Sequence, residues 1–287
     1  MAVILITGCS TGIGLATALH LAAKGDTVYA TARNPGGARE LQAAMAGGAA
    51  LRTRVLDVCD DASVNDTVAY VLSESGAIDV LVNNAGVGGG GSFENTPLQV
   101  ARDVMETNYF GVVRMMQAVL PGMRERRSGT IVNVSSQAGR RPFAMMSHYC
   151  ASKHALNAAS AALAHEVAQF GIRVALIEPG TVMTPIFGKS KALAGDEAYA
   201  QHQRRLVRFI VKGLQVLGCG PDAIARAIEH AISTDDPKLH YLVEQDARDN
   251  VRVFEEQGPE QWVKDGAIVD DAEYFALQAQ RYGYELG

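Results

Sequence analysis

The chain has 287 residues, 48% of them apolar and 20% charged, and its mean hydropathy is +0.03, which fits one large α/β domain and excludes disordered, collagen-like and coiled-coil classes. A net charge of −5 implies no basic surface for a phosphate backbone, so nucleic acid is not an expected partner. Cys9, Cys59, Cys150 and Cys219 lie far apart, without a zinc or disulfide pattern, and residues 1–6 lack a basic leader, so a reducing, cytoplasmic setting without a membrane span is expected.

Short β-branched runs alternate with helical patterns along the chain. Strands are predicted over 3–7, 27–31 and 51–56, and the helices that follow them over 13–24, 37–46 and 61–75. Residues 80–82 then read as a strand, 98–123 as one long helix, 130–134 as a strand, 147–170 as a helix and 173–177 as a strand. Apolar strands without polar alternation need cover on both faces, which gives a doubly wound α/β parallel sheet with a ligand crevice at the carboxyl ends of its strands. Beyond Pro179 the alternation weakens: 186–218 reads as helical and mobile, 221–233 as a helix and 239–243 as a last strand. Residues 246–287 hold ten acidic and four basic side chains, so the acidity belongs to the tail. Gly88 to Gly91 reads as a flexible loop tip.

Gly8-Cys9-Ser10-Thr11-Gly12-Ile13-Gly14 falls between the first strand and the first helix, where free N–H groups and the helix dipole can receive a pyrophosphate. The order is G-x-x-x-G-x-G rather than the usual G-x-G-x-x-G, and a plain glycine turn is the simpler alternative. The same residues spell G-x-S-x-G, which would make Ser10 the nucleophile of a serine hydrolase. That elbow follows a mid-sheet strand, whereas seven residues precede this one.

The loop Thr7 to Gly14 resembles the cofactor loop of the short-chain dehydrogenase/reductase family. Asn83-Asn84-Ala85-Gly86, Tyr149-x-x-x-Lys153 and Pro179-Gly180 match further family elements in order and spacing, covering residues 3 to about 185. Residues 28–33 and 149–153 are similar in wording to the 17β-hydroxysteroid and retinol dehydrogenase branches. The resemblance implies a Rossmann-type dehydrogenase domain over 1–245, with a helical substrate lid over about 185–218 and an acidic C-terminal extension over 246–287. It also implies an NAD(P)-dependent oxidoreductase acting on CH–OH donors, a homodimer or homotetramer, and cofactor contacts from Gly8, Ser10, Thr11, Gly12, Ile13 and Gly14. Asp57 would meet the adenine, Asn84 and Ala85 would line the adenosine ribose, Val182 and Thr184 would contact the carboxamide, and Val58, Gly86, Pro179 and Gly180 are implied as further cofactor contacts.

Tyr149 and Lys153 are four apart in a helix, so both project from one face, and a neighbouring ammonium is expected to lower the phenol toward working pH. Tyr149 is then the general acid/base for a ketone or secondary alcohol, and in the family the lysine also holds the nicotinamide ribose. The family pattern V-N-V-S-S assigns Ser136, rather than its neighbour Ser135, to polarise the carbonyl; without it, either serine would read as strand-end punctuation. Asn108 matches the asparagine that holds a water joining the lysine to solvent. Hydride chemistry needs no metal, and none is expected.

The second strand is followed by Arg33, and no acidic residue occupies 31–39, which favours NADP(H) over NAD(H). The substrate is expected to be an apolar carbonyl of steroid, retinoid or similar type, contacted by Ser136, Phe143, Met145, Tyr149 and Phe187. Arg204, Arg205, Arg208 and Lys212 read first as a solvated helix face and second as a clamp for an acidic substrate. A rival from another class is an idle NADP(H) sensor, in which Tyr149 and Lys153 have no task.

Overall fold

In the expected strands, neighbouring residues point to opposite faces, and both sets are apolar. Ile4 and Ile6 enter one core and Leu5 the other; Val80 and Val82 are divided from Leu81 in the same way. A computed structural model of the chain describes residues 1–185 and 197–285. Its sheet is built from β1 (Val3–Ile6), β2 (Thr27–Ala32), β3 (Leu51–Val55), β4 (Val80–Asn83), β5 (Gly129–Val134), β6 (Ile172–Pro179) and β7 (His240–Val243). The order is β3-β2-β1-β4-β5-β6-β7 and every pairing is parallel.

Helices α1 (Gly12–Ala23) and α2 (Arg39–Ala46) cover one face of the sheet, and α3 (Asp61–Ser75) covers the other. The predicted long helix is divided. It runs as α4 (Leu98–Met105), one wide π turn (Glu106–Phe110) and α5 (Gly111–Arg126), so an extra residue enters the spiral where Asn108 is fully buried. Helix α6 (Ser147–Val167) follows β5 and a short 3₁₀ turn (Gln137–Gly139).

Of the region expected as a lid, 186–196 lies outside the described residues, and its helical, mobile reading is carried no further there. Beyond it come α7 (Ala200–Lys212), a π turn (Gly213–Leu217) and α8 (Pro221–Ser233), which packs with α1. The acidic extension is helical: α9 (Gln245–Gly266), kinked at Gly258 before Pro259, and α10 (Asp271–Tyr282), whose first turn is capped by Asp270 accepting from Glu273 N. The solvated reading of the α7 basic face is corrected at Arg205, which is buried and donates to Asp271 Oδ1 (2.8 Å), while Arg204 reaches Asp271 Oδ2 (3.3 Å). Opposite charge is the physical reason: the basic helix is the docking face for the acidic extension. Among the described residues no helix is long and apolar enough to cross a membrane.

Candidate active site

Strand order changes direction between β1 and β4, and a cleft of about 770 Å³ opens beside their carboxyl ends. Gly8, Ser10, Thr11, Gly12 and Ile13 line it, with Arg33 after β2, Asp57 and Val58 after β3, Asn84, Ala85 and Gly86 after β4, and Thr184 after β6. The two turns are riveted together. Thr7 Oγ1 accepts from Asn84 N (3.0 Å) and Ala85 N (2.9 Å), and Asn84 Nδ2 donates to Thr7 O (2.9 Å) and Gly8 O (3.1 Å). Gly8 has φ of 76°, and a Cβ there would stand 2.8 Å from Ala85 Cα. A Cβ on Gly14 would overlap the Asn84 amide, so this glycine, outside the cleft lining, serves the packing of one turn on the other.

This cradle of glycine backbone at a helix N-terminus, with an exposed arginine and an aspartate farther along the cleft, fits a dinucleotide. The fit is less complete at the nicotinamide end. Pro179, Gly180 and Val182 do not line the cleft: Val182 is buried and bridges to Cys219, and Gly180 packs on the carboxylate of Asp246. Asp246 accepts from Thr181 N (2.5 Å) and Ala247 N (2.8 Å), tying the extension to the end of β6; burial raises its carboxyl pKa, opposed by these hydrogen bonds. Asp246 had no signal in the sequence beyond its place in an acidic tail.

The other candidates gather beside Gly86. A Cβ on this glycine would be 3.3 Å from Asn108 Oδ1 and 4.0 Å from Lys153 Nζ. Asn108 Oδ1 accepts from Val87 N (2.9 Å), and its Nδ2 donates to Val87 O (3.0 Å) and Ser152 Oγ (3.1 Å), so the π turn pins the strand-end loop to α6. Lys153 is buried, donates to Val134 O (2.9 Å) and lies 5.8 Å from the centroid of the Tyr149 ring. Ser136 stands near enough to the Tyr149 hydroxyl to draw its pKa down against the effect of burial.

The expected lowering of the phenol by the lysine is not what this geometry produces. Burial pushes Tyr149 up to about 12, with Ser136 pulling the other way, and burial alone pushes Lys153 down to about 8. Tyr149 keeps some exposed surface but, like Ser136, Lys153 and Asn108, is not among the residues lining the cleft, and its hydroxyl is deeply desolvated. Each group is therefore biased toward its neutral form.

Further polar side chains from β6, α6 and the extension shape the segment that carries Ser136. Ser135 Oγ donates to Asn157 Oδ1 (2.6 Å), while Asn157 Nδ2 donates to Gly139 O (3.0 Å) and Glu178 Oε1 (2.7 Å). Fully buried Glu178 also meets His240 Nδ1 (3.2 Å). At the next position, Gln137 Oε1 accepts from Asn250 Nδ2 (2.7 Å) of the extension. Apart from Ser135, none of these belongs to a motif read in the sequence; a lone polar residue on an apolar-periodic helix, as at Asn157, was the available signal.

The expected substrate residues separate. Phe143 lines a second pocket, with its ring centroid 5.4 Å from that of Phe209. Met145 has φ of 66° and accepts from Gly91 N (2.8 Å), so its backbone holds the glycine loop. Phe187 lies outside the described residues.

The family model for short chain dehydrogenase matches residues 2–194, and the chain belongs to that family. It is an NAD(P)-dependent dehydrogenase/reductase. The 3-ketodihydrosphingosine reductase of Bacteroides thetaiotaomicron is 38% identical over 244 residues, spanning 84% of this chain and 87% of its own. Retinol dehydrogenase 8 of Homo sapiens is 39% identical over 249 residues, 82% of this chain and 79% of its own. A solved short-chain dehydrogenase from Streptomyces avermitilis superposes with a TM-score of 0.81 at 37% identity, covering 93% of this chain and 98% of the other. Solved relatives occur with NADP and with NAD.

Proposed function

We propose that the protein interconverts an apolar ketone and its secondary alcohol with NADP(H), using Tyr149 as general acid/base. The observation that carries this reading is the gathering of Asn108 and buried Lys153 against Gly86 of the cleft, with the Tyr149 ring centroid 5.8 Å from Lys153 Nζ. A carbonyl oxygen accepting from both hydroxyls would be polarised by Ser136 and protonated by Tyr149. A bound nicotinamide supplies the hydride. The glycine turn would hold the pyrophosphate, Asp57 and Asn84 the adenosine end, and Lys153 the ribose next to the reacting centre. Arg33 is exposed just after β2, with no hydrogen bond or ion pair among the described residues, which suits a 2′-phosphate. The names of the sphingoid and retinol relatives both speak of long apolar substrates and support that class here.

Titration with NADPH and NADH followed by turnover of ketones from small to steroid-sized tests the reading. NADPH should bind the tighter, bulky apolar ketones should turn over, and Tyr149→Phe should lower kcat by about 10²-fold or more with NADPH affinity intact. Preference for NADH would remove the role given to Arg33. Undiminished turnover by Tyr149→Phe would remove the proposed chemistry, and cofactor binding without turnover of any ketone would favour the sensor.

A further inference from the structure

A second pocket of about 270 Å³ lies between the loop after Ser136, α7 and the C-terminal helices. Phe143, Phe209, Trp262 and Phe275 give it aromatic walls, and two arginines line it, Arg141 (7% exposed) and Arg205 (5% exposed). A guanidinium stays charged when buried, so it ordinarily faces a carboxylate. Arg205 does, through Asp271 (2.8 Å) and the carbonyl of Ile268 (2.9 Å). Arg141 does not: its Nη1 donates to Asn250 Oδ1 (3.1 Å) and the Tyr282 hydroxyl (3.0 Å), both neutral.

Two N–H groups at the pocket, Arg141 Nε and Arg205 Nη1, have no hydrogen-bond partner among the described residues. The rings of Phe143 and Phe209, 4.6 Å and 5.6 Å from Arg141 Cζ, offset part of the lost hydration but carry no negative charge. The carboxylate in the lining, Asp265, is bound by Arg281, Gln261 and Gln278 and faces its own cation. One buried positive charge is thus left uncompensated between aromatic walls, and unpaired buried N–H groups of this kind are rare enough to require a cause.

We propose that this pocket binds a small anionic amphipath, a carboxylate attached to a ring or short apolar chain, with the carboxylate on Arg141 and the apolar part among Phe143, Phe209 and Trp262. The volume is just below the range of about 300–1,000 Å³ usual for small-molecule sites, which selects a small ligand. Such a carboxylate is either a free effector or the far end of a keto acid whose carbonyl reaches Tyr149, because Arg141 and Phe143 lie on the segment that joins Ser136 to α6. The binding itself does not depend on the ketone-reductase reading.

Trp262 is the single tryptophan of the chain, so its fluorescence reports the pocket in the full-length protein without cofactor. Titration with 4-phenylbutyrate should change the emission saturably, and the uncharged 4-phenylbutanamide should bind about tenfold or more weakly. Arg141→Gln should erase that difference. Because this change also touches Asn250 and Tyr282, Ala144→Phe at the exposed rim serves as a second variant; it should block the acid while leaving the arginine in place. No saturable response, equal responses to acid and amide, or undiminished acid binding in both variants would overturn the proposal. Added to turnover of a neutral ketone, the acid should either compete with the ketone, which marks the far end of the substrate site, or act without competition, which marks an effector; absence of any effect on turnover where fluorescence shows binding would overturn both assignments.

Discussion

Burial acts in opposite senses on Tyr149 and Lys153, raising the first to about 12 and lowering the second to about 8. A phenol fully protonated at neutral pH suits the acid role in reduction, whereas oxidation needs the phenolate and should climb with pH above neutrality. The lysine makes a separate prediction for stability. Its ordinary value is 10.5, so between about 8 and 10.5 the unfolded chain binds the extra proton and folding is favoured as pH rises. The burden of the buried charge is fully present below pH 8 and relieved through that window, by roughly 3 kcal/mol. Melting curves of cofactor-free protein should show the wild type gaining on Lys153→Met from pH 8 to 10; parallel curves would mean that Lys153 titrates near its ordinary value. The Tyr149/Lys153 pair was legible because i,i+4 spacing places both groups on one face. The direction of the phenol shift was not, because desolvation depends on what chain folds over the hydroxyl and no local spacing encodes it.

At the scale of elements, the turn between β5 and α6 is held at both ends by one side chain on the helix. Asn157 accepts from Ser135 and donates to Gly139 and Glu178, bracketing the segment that presents Ser136. Asn157→Leu keeps the approximate volume and leaves the Ser135 hydroxyl, the Gly139 carbonyl and one Glu178 oxygen short of a buried partner, costing about 1–3 kcal/mol. If the clamp positions Ser136, kcat should fall about tenfold or more with NADPH affinity unchanged. A loss of stability with kcat intact would reduce Asn157 to a structural residue. The strands and most helices could be read from hydrophobic period, since each face of the sheet is filled by alternate residues of the same runs. The π turn around Asn108 could not, because one extra residue within 98–126 barely alters an apolar pattern of period 3.6.

Over the whole molecule, the resemblance to the family implies a homodimer or homotetramer, and the exposed Leu98 and Phe110 on the α4–α5 spine leave apolar surface for such contact. Light scattering should give at least twice the 30.5 kDa of one chain; a monomer mass would refute this. The extension was legible only as composition. Its charge pairing with α7 and its contact with Gln137 join groups more than 60 residues apart, which no window of sequence brings together. Within the extension, Asp265 on α9 pairs with Arg281 on α10. Asp265 is nearly fully buried against Arg281: burial draws the carboxyl upward, but the guanidinium with Gln261 and Gln278 outweighs that and holds it below its ordinary 3.8. A depressed carboxyl stabilises the fold above 3.8, and this contribution disappears as pH falls through the folded value. Asp265→Asn leaves a partly buried guanidinium without its counter-ion and should lower stability by about 3 kcal/mol at neutral pH. The gap between wild type and variant should hold steady down to about pH 4 and close below it, because the wild-type carboxyl then protonates and loses the same interaction. A gap of constant size at every pH would show that shape, not charge, joins the two helices.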